Sequence, residues 1–337
     1  MPFLLTGSCG GRERIRAKPS NDGRKDQGRL SPAGGISRRL AVVGGSGVFR
    51  QIAGTGSVSA IRSGFHTAAA ANHQHPHPMK PWLLITLALA SSAEAELPGW
   101  KLVWSDEFDR PGRPDPAKWT CEHGLIRNRE KQFYTKDRRE NARVENGKLI
   151  IEARKEKMDG GDFSSASLIT KGLGEWSSGR FEIRAKLPAA RGTWPAIWML
   201  PKDRGKDGWP RCGEIDIMEH VGHDPGRIHA TLHSEAFNHT KHNQRSGKIV
   251  IPTFATAFHT YAMEWTDGHI LMQVDGKTFA EFKKKTGDTD KEWPFDKPFY
   301  LILNLAVGGS WGGTKGIDES AFPQRMEVDY VRVYGKP

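Results

Sequence analysis

The stretch TYAMEWTDGHILMQVDG, residues 260–276, decides the fold. Two runs with the length and composition of β-strands, 260–265 and 270–274, are each followed by a turn that contains Asp-Gly. Asp-Gly supplies the positive φ angles that tight hairpins require. The stretch therefore predicts consecutive antiparallel strands joined by short hairpins.

The same pattern continues on both sides of this stretch. Residues 148–153, 179–185 and 326–334 are further strand-like runs, and Glu145-Asn146-Gly147 marks another tight turn. No long amphipathic helix interrupts them. We predict one antiparallel all-β domain over residues 96–337, with a two-sheet sandwich as the expected closure.

The net charge of +11 is concentrated near the N-terminus. Residues 1–95 hold 12 of the 50 Lys and Arg and 4 of the 39 Asp and Glu, which accounts for +8 and leaves +3 for residues 96–337. A nearly neutral domain lacks the basic footprint of a polyanion-binding protein. We therefore expect no nucleic-acid partner.

A secretion signal is predicted at residues 79–95. Met79-Lys80 precedes the apolar run 82–90, and Ala93-Glu94-Ala95 forms a small-x-small cleavage site. The run is too short for a permanent membrane-spanning helix, so a transmembrane anchor is the weaker alternative. The prediction is a secreted or periplasmic protein whose mature form has no membrane association.

Residues 1–78 are predicted to form no folded domain. They are rich in Arg, Gly, Ser and Ala and poor in acids, which also resembles an organellar transit peptide. A second signal at 79–95 would then be unexplained, so we favour translation from Met79 and treat the upstream leader as disordered or mis-assigned.

Three carboxylates lie within six residues in Gly213-Glu214-Ile215-Asp216-Ile217-Met218-Glu219-His220. In a regular strand Glu214 and Asp216 share a face, whereas Glu219 points the other way. A β-bulge between Asp216 and Glu219 would place all three on one face. Acids so close together raise one another's pKa, which suits a group that must hold a proton near neutral pH. An acidic solvent-facing strand is the alternative, but the apolar residues between the acids favour a half-buried strand with a function.

Tryptophans in Gly- and Pro-flanked segments suggest sugar chemistry around these acids. Indole faces stack on the apolar faces of pyranose rings, although each individual tryptophan is more often part of a core. The tryptophans in question are Trp176, Trp194, Trp198, Trp209 and Trp311.

The chain from Trp104 to Tyr334 resembles the laminarinase-like branch of glycoside hydrolase family 16. The matching segments occur in the family's order and include residues 103–109, 145–149, 184–188, 194–200, 213–219, 303–309 and 328–334. The resemblance implies an antiparallel β-jelly-roll sandwich of the concanavalin A type with a concave cleft that binds a β-glucan chain. It also implies endo-cleavage with retention of anomeric configuration.

The resemblance assigns the catalytic roles. Glu214 matches the nucleophile, Glu219 the acid/base, and Asp216 the residue that orients and tunes the nucleophile. Retention implies that the two glutamate carboxyl groups lie roughly 5–5.5 Å apart. The predicted substrate contacts are Asn128, Arg180, Trp194, Trp198, His233 and Trp311, and for His233 a hydrogen-bonded core histidine is an equal alternative.

Calcium is the one metal that the resemblance implies, in a structural role at Glu107, Gly147 and Asp329. Oxygen ligands suit this cation, although Asp329 could equally be an exposed strand residue. No cofactor is expected for catalysis, because His220, His223 and His229 lack partners at zinc spacing. Cys121 and Cys212 could pair or remain free thiols.

The exact substrate is open at this stage. The segment 232–251, which would border the cleft, departs from a simple short hairpin loop. We expect a monomeric hydrolase of β-1,3-glucan, with mixed β-1,3/1,4-glucan as the next choice. Other family 16 polysaccharide hydrolases or transglycosylases, and a non-catalytic glucan-binding protein, remain alternatives.

Overall fold

The computed structural model describes residues 97–337. The predicted leader (1–78) and signal peptide (79–95) lie outside the described residues. Among residues 97–337, no helix is both long and apolar enough to cross a membrane.

The described part of the chain is almost entirely strands. Its regular elements are β1 Lys101–Asp106, β2 Thr120–Cys121, β3 Gln132–Tyr134, β4 Ala142–Glu145, β5 Lys148–Ala153, β6 Phe163–Ser165, β7 Ser167–Ile169, β8 Gly179–Lys186, β9 Thr193–Pro201, β10 Glu214–Glu219, β11 Arg227–His233, β12 Arg245–Val250, β13 His259–Thr266, β14 His269–Val274, β15 Lys277–Lys283, β16 Phe299–Val307, α1 Gly309–Gly312 and β17 Gln324–Gly335. Two short 3-10 turns span His239–Lys241 and Glu319–Ala321.

These strands form two large antiparallel sheets. The eight-stranded sheet has the order β15-β14-β13-β8-β17-β5-β4, with β1 paired to β17, and the seven-stranded sheet has the order β12-β11-β10-β9-β16-β7-β2. β3 and β6 form a separate two-stranded parallel ribbon. The predicted antiparallel sandwich is therefore confirmed.

The predicted strands and hairpins are found close to their expected bounds. β13 pairs with β14 from Tyr261 opposite Val274 to Thr266 opposite His269. At two other hairpins, Asn146-Gly147 has φ values of 53° and 69°, and Asp275-Gly276 has values of 50° and 77°. Such left-handed pairs match the right-handed twist of the strands they join, and Gly and Asn tolerate them best.

One continuous core lies between the sheets. Alternate residues of each strand contribute to it, for example Phe181 and Ile183 of β8 and Leu301 and Leu303 of β16, all fully buried. The outward face of the seven-stranded sheet is also partly covered, because Trp198 and Ile302 belong to a second buried apolar cluster there. We refer to this outward side, which carries Glu214, as the active-site face.

Candidate active site

The catalytic strand β10 contains the predicted bulge. Its register against β11 shifts between Asp216 and Glu219, and against β9 it shifts between Asp216 and Met218. Ile217 and Met218 are consecutive yet both lie in the core, so one residue is extra on this strand. The bulge turns Glu219 to the same face of the sheet as Glu214 and Asp216, so all three acids belong to the active-site face.

Burial raises the pKa of every acid in this row. The pKa of Glu214 and that of Glu219 rise to about 8, first because burial disfavours the ionised form and then because Asp216 lies nearby. Burial also raises the pKa of Asp216 well above its ordinary value. The nearby His233 opposes the pKa shift of both glutamates. The coupled row therefore keeps at least one shared proton at neutral pH, as an acid catalyst requires.

The predicted contacts Trp194 and Trp198 lie on β9, beside the catalytic strand. The indole Nε1–H of Trp194 donates a hydrogen bond of 3.0 Å to Oε1 of Glu219. Trp198 is paired directly with Asp216 and donates from Nε1 to Oδ1 of Asn304 at 2.7 Å. Trp194 thus contacts an acid, whereas the buried Trp198 lies beside Asp216 on the same face of the sheet.

His233 lies on β11, directly opposite Glu214. Its Nε2 is 3.7 Å from Oε1 of Glu214 and 3.4 Å from Oδ2 of Asp216. The side chain is buried, but Nδ1 has no hydrogen-bond partner. Its imidazole therefore faces the acid row with one nitrogen unpartnered, and a role solely as a satisfied core histidine is not supported.

Trp311 and Asn128 belong to one rim of the active-site face. The half-buried Trp311 ring lies 5.6 Å from that of Trp194, at an interplanar angle of 79°. The backbone carbonyl of Asn128 accepts a hydrogen bond of 2.9 Å from the backbone N–H of Ser310, next to Trp311. Asn128 also donates from Nδ2 to Glu130 at 3.1 Å. The structure thus brings these two predicted contacts to the rim beside the acids.

Arg180 is not part of this site. It lies on β8 of the eight-stranded sheet, where its guanidinium binds Glu182 at 2.6 Å and also binds Glu264. Phe181 points into the core, so Arg180 faces away from the seven-stranded sheet. The prediction that Arg180 lies on a cleft-facing strand is wrong, because β8 belongs to the other sheet of the sandwich.

A buried polar layer around Trp198 was not found from the sequence. Arg127 lies 4.9 Å above the Trp198 ring and binds both carboxylate oxygens of Glu122. Asn304 connects Trp198 to the hydroxyl group of Tyr134, to which it donates at 3.0 Å. These residues come from distant segments, and none of them carries a local motif.

The loop between β11 and β12 adds a second group of aromatic rings. Asn238 is fully buried and donates from Nδ2 to the carbonyls of Ser234 at 3.0 Å and Glu235 at 3.1 Å. This anchored loop holds His239, whose ring lies 4.8 Å from that of Trp209 at an angle of 30°. The irregular segment 232–251 therefore forms a defined wall near His233 rather than a simple hairpin.

The positions predicted for calcium are brought to one region of the eight-stranded sheet. β1 pairs with β17 up to the residue before Glu107, and β5 pairs with β17 up to the residue before Asp329. Gly147 lies in the turn that leads into β5. Backbone pairing thus makes the three positions neighbours.

Both predicted calcium-binding carboxylates already have cationic partners. Glu107 accepts hydrogen bonds from Nε of Arg332 at 3.0 Å and from its Nη2 at 2.8 Å, and Asp329 forms an ion pair with Arg184. Oxygen donors at neighbouring positions fit calcium. A bound cation would have to compete with these two arginines for the carboxylates.

The two cysteines of the described chain are free thiols. Cys121 lies on β2, and Cys212 is buried just before β10. Burial raises the pKa of both thiols, which reduces their reactivity. Of the two alternatives left open by the sequence, the structure supports free thiols.

The acid row is expected to lower the free energy of unfolding as the pH rises. The ordinary pKa of Glu219 is 4.5 and its folded value is about 8, so the unfolded chain releases this proton first. Stability is unaffected below about pH 4, declines between the two pKa values and is constant above them. Glu219→Gln should therefore raise the free energy of unfolding at pH 8 by an amount on the order of a few kcal/mol, and with it the melting temperature, but should raise neither at pH 4.

The matched control for this measurement is Glu140→Gln, at an exposed position. Differential scanning calorimetry at both pH values measures the effect. An equal gain at pH 4 and pH 8, or no gain at pH 8, would contradict the assigned pKa shift.

The fold and the site together define the class of protein: an all-β sandwich with two glutamates of raised pKa beside half-buried tryptophans is a glycoside hydrolase. The sequence profile of Glycosyl hydrolases family 16 matches residues 129–332. The chain belongs to this family.

Similar proteins agree on this family. The chain is 52% identical over 255 residues to a Beta-glucanase of Rhodothermus marinus, covering 73% of this chain and 89% of that protein. The structure of the laminarinase from Rhodothermus marinus has a TM-score of 0.69 at 52% identity, covering 71% of this chain and 98% of that one. SCLam, a non-specific endo-β-1,3(4)-glucanase from the same family, has a TM-score of 0.68 at 47% identity, covering 72% of this chain and 94% of that one. The predicted family and jelly-roll fold are confirmed.

Proposed function

We propose that this protein is a retaining endo-β-glucanase that hydrolyses β-1,3-glucan by double displacement. The observation that carries the proposal is the bulged strand β10, which places Glu214, Asp216 and Glu219 in one row on the active-site face. The similarity to laminarinases supports β-1,3-glucan as the substrate.

The first chemical step uses both glutamates. Glu219 donates its proton to the departing glycosidic oxygen while the ionised Glu214 attacks the anomeric carbon, so the glycosidic bond breaks and a covalent glycosyl ester forms. The raised pKa of Glu219 keeps the proton available at neutral pH. Glu214 must be ionised for this step, and His233 favours that form.

The second step releases the sugar. The now ionised Glu219 removes a proton from water, the hydroxide oxygen attacks the anomeric carbon, and Glu214 leaves as a carboxylate. The indole N–H of Trp194 stabilises the ionised form of Glu219 during this step. Two displacements at one carbon retain the β configuration.

Substrate binding is assigned to the rims of the active-site face. We propose that Trp311 and Trp194 stack on sugar rings on one side of the acids and that Asn128 binds a hydroxyl group nearby. His233 contributes a polar contact next to the nucleophile. Trp198 acts by packing beside Asp216 and binding Asn304 rather than by touching the sugar, because its side chain is buried.

Mixed β-1,3/1,4-glucan is the second candidate substrate. The similarity to SCLam, whose name records a non-specific endo-β-1,3(4)-glucanase, favours it. The wall formed by Trp209 and His239 borders His233 and is the part of the site that would select between linkages.

Incubation of the purified protein with laminarin, lichenan, agarose and xyloglucan tests the proposal. We expect laminarin to give a series of oligosaccharides, and NMR of the early products to show the β anomer. Products from lichenan at a comparable rate would extend the specificity to mixed-linkage glucan. Release of oligosaccharides from agarose or xyloglucan alone, or from none of the four glycans, would contradict the proposed function. Products longer than the substrate would indicate transglycosylation.

We further propose that the protein is exported to the periplasm or the medium and acts as a monomer. Export rests on the charged, apolar and small-x-small order of residues 79–95. N-terminal sequencing of the secreted protein should begin at Glu96, and light scattering should give the mass of one chain.

A structural calcium ion at Glu107, Gly147 and Asp329 is also proposed. Added Ca²⁺ is expected to raise the melting temperature, since binding to the folded state alone stabilises it by mass action. Asp329→Asn should reduce this increase, whereas the control Asp159→Asn, at an exposed turn, should not. A melting temperature that is the same in Ca²⁺ and in EDTA would count against the site.

A further inference from the structure

Three side chains of the acid row form a potential set of metal ligands. One ligand atom each from Glu214, Asp216 and His233 lie within 4.8 Å of one another, and no other group of three or more acid, histidine or cysteine side chains in residues 97–337 does so. His233 Nε2 is 3.7 Å from Glu214 and 3.4 Å from Asp216. The atoms belong to two adjacent strands of one sheet, so the backbone holds them in place.

One of these ligand atoms is not satisfied within the protein. Oδ2 of Asp216 has no hydrogen-bond partner although the residue is only 3% exposed. A buried carboxylate oxygen without a donor is costly, and it is relieved by a proton or by a cation. The nearest guanidinium group of the buried layer, that of Arg127, is already bound to Glu122.

The spacing fits a small divalent ion. Ligand atoms of a tetrahedral zinc site with bonds of about 2.0–2.1 Å are separated by about 3.3 Å, close to the separations from His233. One imidazole nitrogen and two carboxylate oxygens suit zinc, whereas calcium prefers six to eight oxygen ligands. Two carboxylates also balance the charge of the ion.

We propose that Zn²⁺ binds to Glu214, Asp216 and His233 and reversibly inhibits the enzyme. The ion would occupy the carboxylate oxygens of Glu214, so the nucleophile could not attack the anomeric carbon. The Glu214 side chain is 17% exposed, which leaves a path from the active-site face. His233 Nδ1 has no acceptor to orient the ring, so the affinity is expected to be micromolar rather than that of a structural zinc site.

Isothermal titration calorimetry of the metal-free full-length protein with zinc chloride tests this inference. We expect one ion per chain, an affinity about 10-fold or more lower in His233→Gln, and an unchanged affinity in His269→Gln. His269 is a suitable control because it lies on β14 of the other sheet, where it contacts Glu281. Asp216→Asn is a second ligand variant, and circular dichroism verifies that each variant is folded.

The inhibition arm uses glucan hydrolysis with and without zinc. Loss of activity that EDTA restores supports the inference. Absence of zinc binding, or equal affinity in the wild type and both ligand variants, would overturn it. Calorimetry needs no substrate, so it tests zinc binding separately from the proposed function. If the protein bound zinc through His233 but cleaved none of the glucans, the zinc site would stand and the proposed function would be refuted.

Discussion

Glu214→Gln is expected to lower kcat on laminarin by about 10⁴-fold or more while the fold remains intact. The amide cannot attack the anomeric carbon, and Gln has almost the same shape as the protonated Glu that burial favours at this position. Glu219 cannot replace it as the nucleophile, because Glu219 holds the proton that the leaving group needs. Initial rates on laminarin measure the loss.

The control for this variant is Glu264→Gln on the eight-stranded sheet, where Glu264 binds Arg180. It should retain full activity. Circular dichroism and the melting temperature should show that Glu214→Gln is folded and no less stable than the parent. Substantial hydrolysis by Glu214→Gln would refute the assignment of the nucleophile.

The strands and the bulge could be predicted because they follow from local rules. Side chains on a regular strand alternate between its two faces, so Glu214 and Glu219, five residues apart, would point to opposite sides. They can share a face only if the strand contains one extra residue. Hairpin turns such as Asn146-Gly147 are likewise encoded by the residues that tolerate positive φ. Both kinds of inference need only neighbouring residues.

Sheet membership could not be derived in the same way. Arg180 alternates with core residues on β8 just as Glu214 alternates with them on β10, and nothing local says which sheet each strand joins. The polar layer of Arg127, Tyr134 and Asn304 was missed for the same reason, since its contacts join residues up to 170 positions apart.

Asp216 links the two halves of the catalytic cycle electrostatically. Its proximity raises the pKa of both Glu214 and Glu219, so the charge state of one glutamate is coupled to that of the other through a shared neighbour. The row behaves as one titrating unit, and its protons belong to the group as a whole. Activity should therefore fall above about pH 8, when the proton needed for leaving-group protonation is lost.

Glu219→Ala is expected to separate acid catalysis from nucleophilic attack. Hydrolysis of laminarin should fall about 10³-fold, because the departing glycosidic oxygen no longer receives a proton.

A dinitrophenyl β-glucoside oligomer should still form the glycosyl-enzyme, since its leaving group needs no proton. The ester should then accumulate, because the base that activates water is absent. Azide, which needs no base, should attack the ester and release a β-glycosyl azide. The control Glu140→Gln, at an exposed position away from the acid row, should behave as the wild type on both substrates. Equal losses on laminarin and on the aryl substrate, with no azide product, would mean that Glu219 is not the acid/base, and the roles of Glu219 and Glu214 on the bulged strand would have to be reassigned.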